Sequence, residues 1–125
     1  MLVAVPSDSP GGLDSRISDH FGHCDMFTLV QIEREAVESV TILPNAAHEG
    51  GQCMAPVMML KERGTEGLVA GGMGQRPLEG FQQVGITVYF KAGAETVREA
   101  IDLLIAGECR EFAPAQTCGG QGGCG

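Results

Sequence analysis

The sequence contains no tryptophan and a single tyrosine, Tyr89, so aromatic rings that stack on nucleic-acid bases are scarce. Basic residues are also few: eight Lys and Arg residues stand against 16 Asp and Glu residues, and the formal net charge is −8. Binding to nucleic acids or to anionic membrane surfaces depends on cationic side chains. We therefore expect neither a nucleic acid nor a membrane as a partner.

Long apolar runs and targeting signals are missing as well. No segment approaches the roughly 20 apolar residues of a membrane span. The first residues lack the basic segment and apolar core of a secretory signal, so we expect a cytoplasmic protein. A chain of 125 residues with 43% hydrophobic residues is long enough for one domain with its own core.

The five cysteines do not show the spacing of the common thiol motifs. No Cys-x-x-Cys pair occurs, so the usual signals for structural zinc and for thioredoxin-like chemistry are missing. An odd number of cysteines in a reducing compartment does not indicate a disulfide framework. Contact with a metal or cluster, redox sensing and inert burial remain open as roles.

Hydrophobic periodicity predicts an α/β fold with the order β-β-β-α-β-α-β-α. The predicted strands cover residues 2–5, 26–32, 36–43, 67–70 and 86–90, and the predicted helices cover 52–63, 77–84 and 94–106. Three early strands followed by βα units imply a five-stranded mixed sheet flanked by three helices. Residues 1–107 form the predicted domain, and the glycine- and cysteine-rich residues 108–125 form a tail.

This order places several loops at one end of the sheet. If the first three strands alternate in direction and the last two run parallel to the first, the loops after strands one, three, four and five all leave at the same end. Open α/β sheets bind ligands at the carboxyl ends of their strands. We therefore predict one site that is built from these loops.

The loop after the first strand carries two imidazoles and a thiol within five residues, around a glycine. Imidazole nitrogen and thiolate sulfur are ligands for soft and borderline metals, and a glycine lets the backbone approach a bulky ligand. The alternative is that these are ordinary surface or packing residues. The predicted metal ligands in the loops after strands one and three are His20, His23, Cys24, His48 and Cys53.

A glycine-rich segment separates the fourth strand from the second helix. Its backbone N–H groups suit an anion, and Arg76 adds a charge-assisted donor. The segment is neither a Walker loop nor a dinucleotide fingerprint, because no Gly-Lys-Ser/Thr follows and Pro77 stands where the third glycine would fall. The alternatives are a tight turn and a solvated arginine. The predicted cofactor-binding residues are Phe21, Gly22, Gly71, Gly72, Met73, Gly74 and Arg76.

Two further cysteines, Cys118 and Cys124, flank a Gly-Gly-Gln-Gly-Gly run in the tail. They either hold a metal flexibly or belong to a disordered end with exposed thiols. We include both among the predicted metal ligands, as accessory to the main site.

Four segments of the chain resemble the dinitrogenase iron–molybdenum cofactor-binding family of nitrogenase cofactor carriers and orange-protein-like proteins. They are Val-Ala-Val-Pro-Ser at 3–7, Ile-Ser-Asp-His-Phe-Gly-His-Cys at 17–24, residues 67–74, and the last strand and helix. The resemblance covers residues 1–107, and its most specific part is His-Phe-Gly. It implies a ribonuclease H-like fold and non-catalytic binding of a metal–sulfur cluster, of the iron–molybdenum or the molybdenum–copper sulfide type.

We therefore expect a cytoplasmic, non-enzymatic carrier of a metal–sulfur cluster, which passes its cargo to a cluster-receiving protein. The alternative is a redox- or metal-sensing module that serves an iron–sulfur or ParA-like ATPase partner. A weaker reading is a small enzyme that acts on a phosphorylated substrate at the 71–74 loop. Visible absorption separates the first reading from the other two, because metal–sulfide clusters are coloured.

Overall fold

The computed structural model describes residues 1–18, 24–44, 54–71, 75–91 and 93–111. These residues form five strands and three helices in the predicted order β-β-β-α-β-α-β-α. The strands are β1 (Leu2–Ser7), β2 (Met26–Glu33), β3 (Ala36–Pro44), β4 (Gly67–Ala70) and β5 (Thr87–Phe90). The helices are α1 (Met54–Glu62), α2 (Gln75–Gln83) and α3 (Val97–Ile105). None of the helices in these ranges is long and apolar enough to cross a membrane.

The strands form one mixed sheet in the order β3-β2-β1-β4-β5. β2 pairs antiparallel with β1 and with β3, whereas β4 pairs parallel with β1 and with β5. As a result β1, β3, β4 and β5 all end on the same side, which we call the carboxyl end of the sheet, and β2 begins there. The predicted α/β class and the convergence of loops at one end are confirmed.

Each face of the sheet packs against helices. Successive residues of a strand point to opposite faces, so in β1 Val3 and Val5 join the cluster under α3, while Ala4 joins the cluster under α1 and α2. Both clusters contain fully buried side chains. Val97 is one such residue on the α3 side, and Phe81 is one on the other. The two cores fix the sheet between its helices and hold its carboxyl end in place.

Several predicted boundaries shift by one to three residues, including the start of α2 at Gln75 and not at Pro77, and two of the shifts have a clear local cause. β1 continues through Pro6 to Ser7 and does not stop at Val5. The parallel pairing of β1 with β4 ends at Ala4, so the missing N–H of Pro6 leaves no gap in that ladder. α3 begins at Val97 and not at residue 94, because the Thr96 side chain caps the helix and the Glu99 side chain returns the bond.

Candidate functional site

The chain changes direction across the sheet between β1 and β4. After β1 it turns towards β2 on one side, and after β4 it passes through α2 to β5 on the other side. Ligands of open α/β sheets bind where successive connections diverge in this way, outside the carboxyl ends of the strands. The candidate site therefore lies at the carboxyl ends of β1 and β4.

The loop after β1 is anchored to the start of α3. The N–H of Val97 donates to the Ser15 carbonyl oxygen at 3.0 Å, and the N–H of Arg98 donates to that of Leu13 at 2.8 Å. The Arg98 guanidinium also contacts the Asp14 carboxylate at 3.1 Å. Helix N-termini attract anions only through unsatisfied N–H groups, so α3 is not the anion-binding element of this end.

A buried chain of hydroxyl groups fixes the same loop to the sheet. Ser7 Oγ donates to the Val5 carbonyl oxygen at 2.7 Å and lies 2.9 Å from Thr28 Oγ1, and both side chains are fully buried. Since the only hydroxyl proton of Ser7 goes to Val5, Thr28 donates to Ser7. Thr28 Oγ1 in turn accepts the N–H of Gly12 at 3.0 Å. Both hydroxyl groups of this network have hydrogen-bond partners, and the network fixes the position at which the loop crosses β2.

Three predicted site residues, Cys24, Gly71 and Arg76, fall within the described ranges, and all three lie at the carboxyl end. Cys24 precedes β2 and is only 2% exposed, within the core cluster under α1 and α2. Gly71 directly follows β4. Arg76 lies in the first turn of α2. Eleven predicted residues lie outside the described ranges: His20, Phe21, Gly22, His23, His48, Cys53, Gly72, Met73, Gly74, Cys118 and Cys124.

Among the residues that the structure describes, no group of three or more His, Cys, Asp or Glu side chains is placed to hold a metal ion. The predicted coordination by histidine and cysteine therefore depends on the residues outside these ranges, together with Cys24. It stays a prediction.

Lys91 is a charged residue at this end that the sequence analysis missed. It follows β5 as Gly71 follows β4, and Ala70 pairs with Phe90 in the register, so residues 71 and 91 are the next pair. The Lys91 side chain is partly buried and donates from Nζ to the Ala94 carbonyl oxygen at 2.9 Å. A lysine directly after the last parallel strand is visible in the sequence, but its contact with Gly71 follows only from the strand register.

The segment after α3 returns along the outer edge of β5. The N–H of Phe90 donates to the Arg110 carbonyl oxygen at 2.7 Å, and Glu111 forms an antiparallel bridge with Tyr89. At Glu111 the chain therefore points towards the amino end of β5. Cys109 lies in this segment, half-buried, with Sγ 3.9 Å from the Ala100 carbonyl oxygen. Burial, followed by the nearby charge of Glu108, raises the pKa of the Cys109 thiol.

Comparison with known proteins identifies the family. The sequence pattern described as dinitrogenase iron–molybdenum cofactor matches residues 1–107. The chain belongs to this family. An uncharacterised protein of Methanocaldococcus jannaschii is 30% identical over 114 residues, which cover 90% of this chain and 92% of the relative.

Solved structures show the same fold. The apo form of the orange protein from Desulfovibrio gigas is 26% identical, with a TM-score of 0.77 over 90% of this chain and 92% of that protein. A Thermotoga protein solved by NMR is 29% identical, with a TM-score of 0.74 over 90% of this chain and 96% of that protein. The family resemblance inferred from the sequence is thus confirmed.

Proposed function

We propose that this protein binds a preformed metal–sulfur cluster at the carboxyl end of its sheet and carries it through the cytoplasm without changing it chemically. The observation that carries the proposal is that β1 and β4, which lead into the His-Phe-Gly segment and the 71–74 segment, are parallel neighbours at the point where the connections diverge. The cluster is of the iron–molybdenum or the molybdenum–copper sulfide type. A cluster-receiving protein then takes the cargo over.

In this proposal the two sides of the site have different roles. Residues of the loops after β1 and β3, led by His20 and His23, coordinate metal. Backbone N–H groups of the 71–74 loop donate hydrogen bonds to sulfide or oxide ligands. The cysteines of the tail, Cys118 and Cys124, act as accessory ligands.

The burial of Cys24 sets a condition on its role. A thiol coordinates metal as thiolate, and a thiolate in apolar surroundings is unfavourable unless a cation neutralises it. Cys24 therefore gains its ligand character only with metal bound, and it contributes to the apolar core in the cargo-free protein.

Reconstitution tests the proposal. Anaerobic protein is titrated with copper and tetrathiomolybdate, and separately with iron and sulfide, while the visible band and the metal content are measured. We expect one saturable, coloured species. His20→Ala, His23→Ala and Cys24→Ser should each weaken binding by about 10- to 100-fold. Cys109→Ser is the matched control, since Cys109 lies against α3 beside β5. Parent-like binding by all three site variants would contradict the assignment of these ligands.

The competing reading as a redox-sensing module receives less support from the described thiols. Sensor cysteines are exposed and have a depressed pKa. Cys24 is buried, and the pKa of Cys109 is raised. If the protein remained colourless in every reconstitution while an ATPase partner bound it, the sensing module would replace the carrier.

A further inference from the structure

The end of β4 is shaped to hold a lysine side chain. A Cβ atom on Gly71 would collide with Cε of Lys91 and would lie 2.8 Å from its Cδ. The aliphatic part of Lys91 therefore lies directly against the glycine, in space that any other residue at position 71 would fill. The absence of a side chain at Gly71 leaves room for this lysine at the carboxyl end of β4.

The backbone and the ammonium group both fix the position of Lys91. Its N–H donates to the Ala70 carbonyl oxygen at 2.9 Å, which extends the ladder between β4 and β5. Its Nζ donates to the Ala94 carbonyl oxygen, in a partly buried contact. An ammonium group has three N–H donors, and among the described residues only Ala94 accepts from this one.

The charge of Lys91 is not neutralised by a carboxylate in the described part of the chain. The ion pairs found there join the Met1 amino group to Glu33 and Glu66, and Arg98 to Asp14. In a protein with a formal net charge of −8, a partly buried and fixed cation at the ligand-binding end of the sheet produces a local positive potential.

We infer that Lys91 binds the anionic cargo and that Gly71 is present to admit it. The inference rests on the proposed function, because sulfide-rich clusters are anions. It assigns the cation of the site to a residue beyond the loops that supply metal ligands. The N–H donors of Lys91 Nζ that have no acceptor within the described ranges lie beside Gly71, and a sulfide or oxide ligand of the cluster would gain charge-assisted hydrogen bonds from them.

Lys61 provides a matched control for this inference. Its Nζ also donates to a backbone carbonyl oxygen, that of Val84, at 3.0 Å. It differs in position, because it lies in the last turn of α1, which leads to the amino end of β4. Removing the charge of Lys61 therefore changes the net charge of the protein equally, at the opposite end of the sheet.

The test compares Lys91→Met with Lys61→Met in the full chain. Each variant is titrated with the copper–tetrathiomolybdate cluster, and the visible band reports binding. We expect Lys91→Met to weaken binding by about 10-fold, the effect of one hydrogen bond to a charged group. Lys91→Arg should restore most of the affinity, and Lys61→Met should bind like the parent. The deficit of Lys91→Met should shrink at high salt, because ions screen the lost attraction.

Gly71→Ala tests the same contact without removing a charge. The added methyl group displaces the flexible end of Lys91, so we expect a parent-like melting temperature and weakened cluster binding. Equal binding by Lys91→Met and the parent, or equal losses in the two Met variants, would overturn this inference. If the parent itself took up no cluster, the proposed function would fail instead.

Discussion

At the carboxyl end of the sheet, the antiparallel side formed by β2 and β3 differs from the parallel side formed by β4 and β5. On the antiparallel side the described part of the loop after β1 carries Asp8, Asp14 and Asp25, and several of its N–H groups are used within the loop, as when the N–H of Ser9 donates to the Asp25 carboxylate at 3.0 Å. On the parallel side the strands are followed by Gly71 and Lys91, and the lysine ammonium has one hydrogen bond within the described part of the chain, to the Ala94 carbonyl oxygen. The antiparallel side is therefore built to hold its own loop, and the parallel side has donors left for a ligand.

This difference gives glycines at the two sides different functions. Gly11 has a φ of +83°, and a Cβ there would lie 2.7 Å from Met26 Sδ. Gly11 thus allows the loop to pack on β2, which is a matter of folding. Gly71 leaves room for the far end of a flexible lysine, which on our account is a matter of binding. Substitutions on the two sides should separate stability from affinity.

The largest expected effect on stability comes from Thr28→Val, which removes the middle of the hydroxyl chain. The N–H of Gly12 loses its acceptor, and Ser7 loses a donor in a fully buried position. We expect a loss of about 1–3 kcal/mol in the free energy of unfolding, measured by urea titration. Thr41→Val on the exposed strand β3 is the control and should change stability by less than about 0.5 kcal/mol. Similar losses in both variants would show that the network does not stabilise the loop.

Gly11→Ala should have the next largest effect, about 1–2 kcal/mol, because a left-handed backbone and a close contact with Met26 oppose it. Gly12→Ala is a sharp control: Gly12 has a φ of +99°, but a Cβ there meets nothing within 4 Å. Chemical denaturation of both variants separates the free-energy cost of a left-handed backbone from the cost of the contact with Met26. If Gly12→Ala proved the more damaging, the proposed packing of the loop against Met26 would be wrong.

Thr96→Ala should cost about 1 kcal/mol, since it removes the side chain that caps α3. The start of α3 also holds the loop by donating to the carbonyl oxygens of Ser15 and Leu13, so exchange of the donating Val97 and Arg98 amides should accelerate with it. Thr87→Ala in β5 provides a threonine control away from this helix. Unchanged amide exchange in Thr96→Ala would show that the cap of α3 does not stabilise the loop after β1.

The smallest effect is on acid stability. The pKa of Glu99 lies below its ordinary value of 4.5, because the N–H groups of Glu95 and Thr96 donate to its carboxylate. This stabilisation is complete above about pH 4.5 and is lost as the pH falls through the lower pKa of the folded state. Glu99→Gln should therefore lose less stability than the parent on acidification. Parallel pH profiles of the two proteins would contradict this.

The fold could be predicted from the sequence because its signals are local. Apolar runs bounded by Gly and Pro mark the strands, and the βα units fix the parallel half. The start of α3 was predictable too, since Thr96 and Glu99 have the spacing of a capping box. The predicted helix nevertheless began at residue 94, because the helical spacing of apolar residues extends back to Ala94.

The site was only partly predictable, for a physical reason. Histidine, cysteine and glycine clusters stand out along the sequence, but Lys91 gains its role from a neighbour 20 positions away. Only the register that pairs Ala70 with Phe90 brings Gly71 and Lys91 together. The burial of Cys24 likewise depends on α1 and α2, which pack over it from distant parts of the chain.

The central claim is that a metal–sulfur cluster binds at the carboxyl ends of β1 and β4. The most direct test is an NMR titration of isotope-labelled protein with the copper–tetrathiomolybdate cluster, followed residue by residue. We predict saturable shifts at Cys24, Gly71 and Lys91, with little change at Lys61 and Gly85 at the opposite end. Absence of binding, or shifts centred on Lys61 and Gly85, would contradict the account.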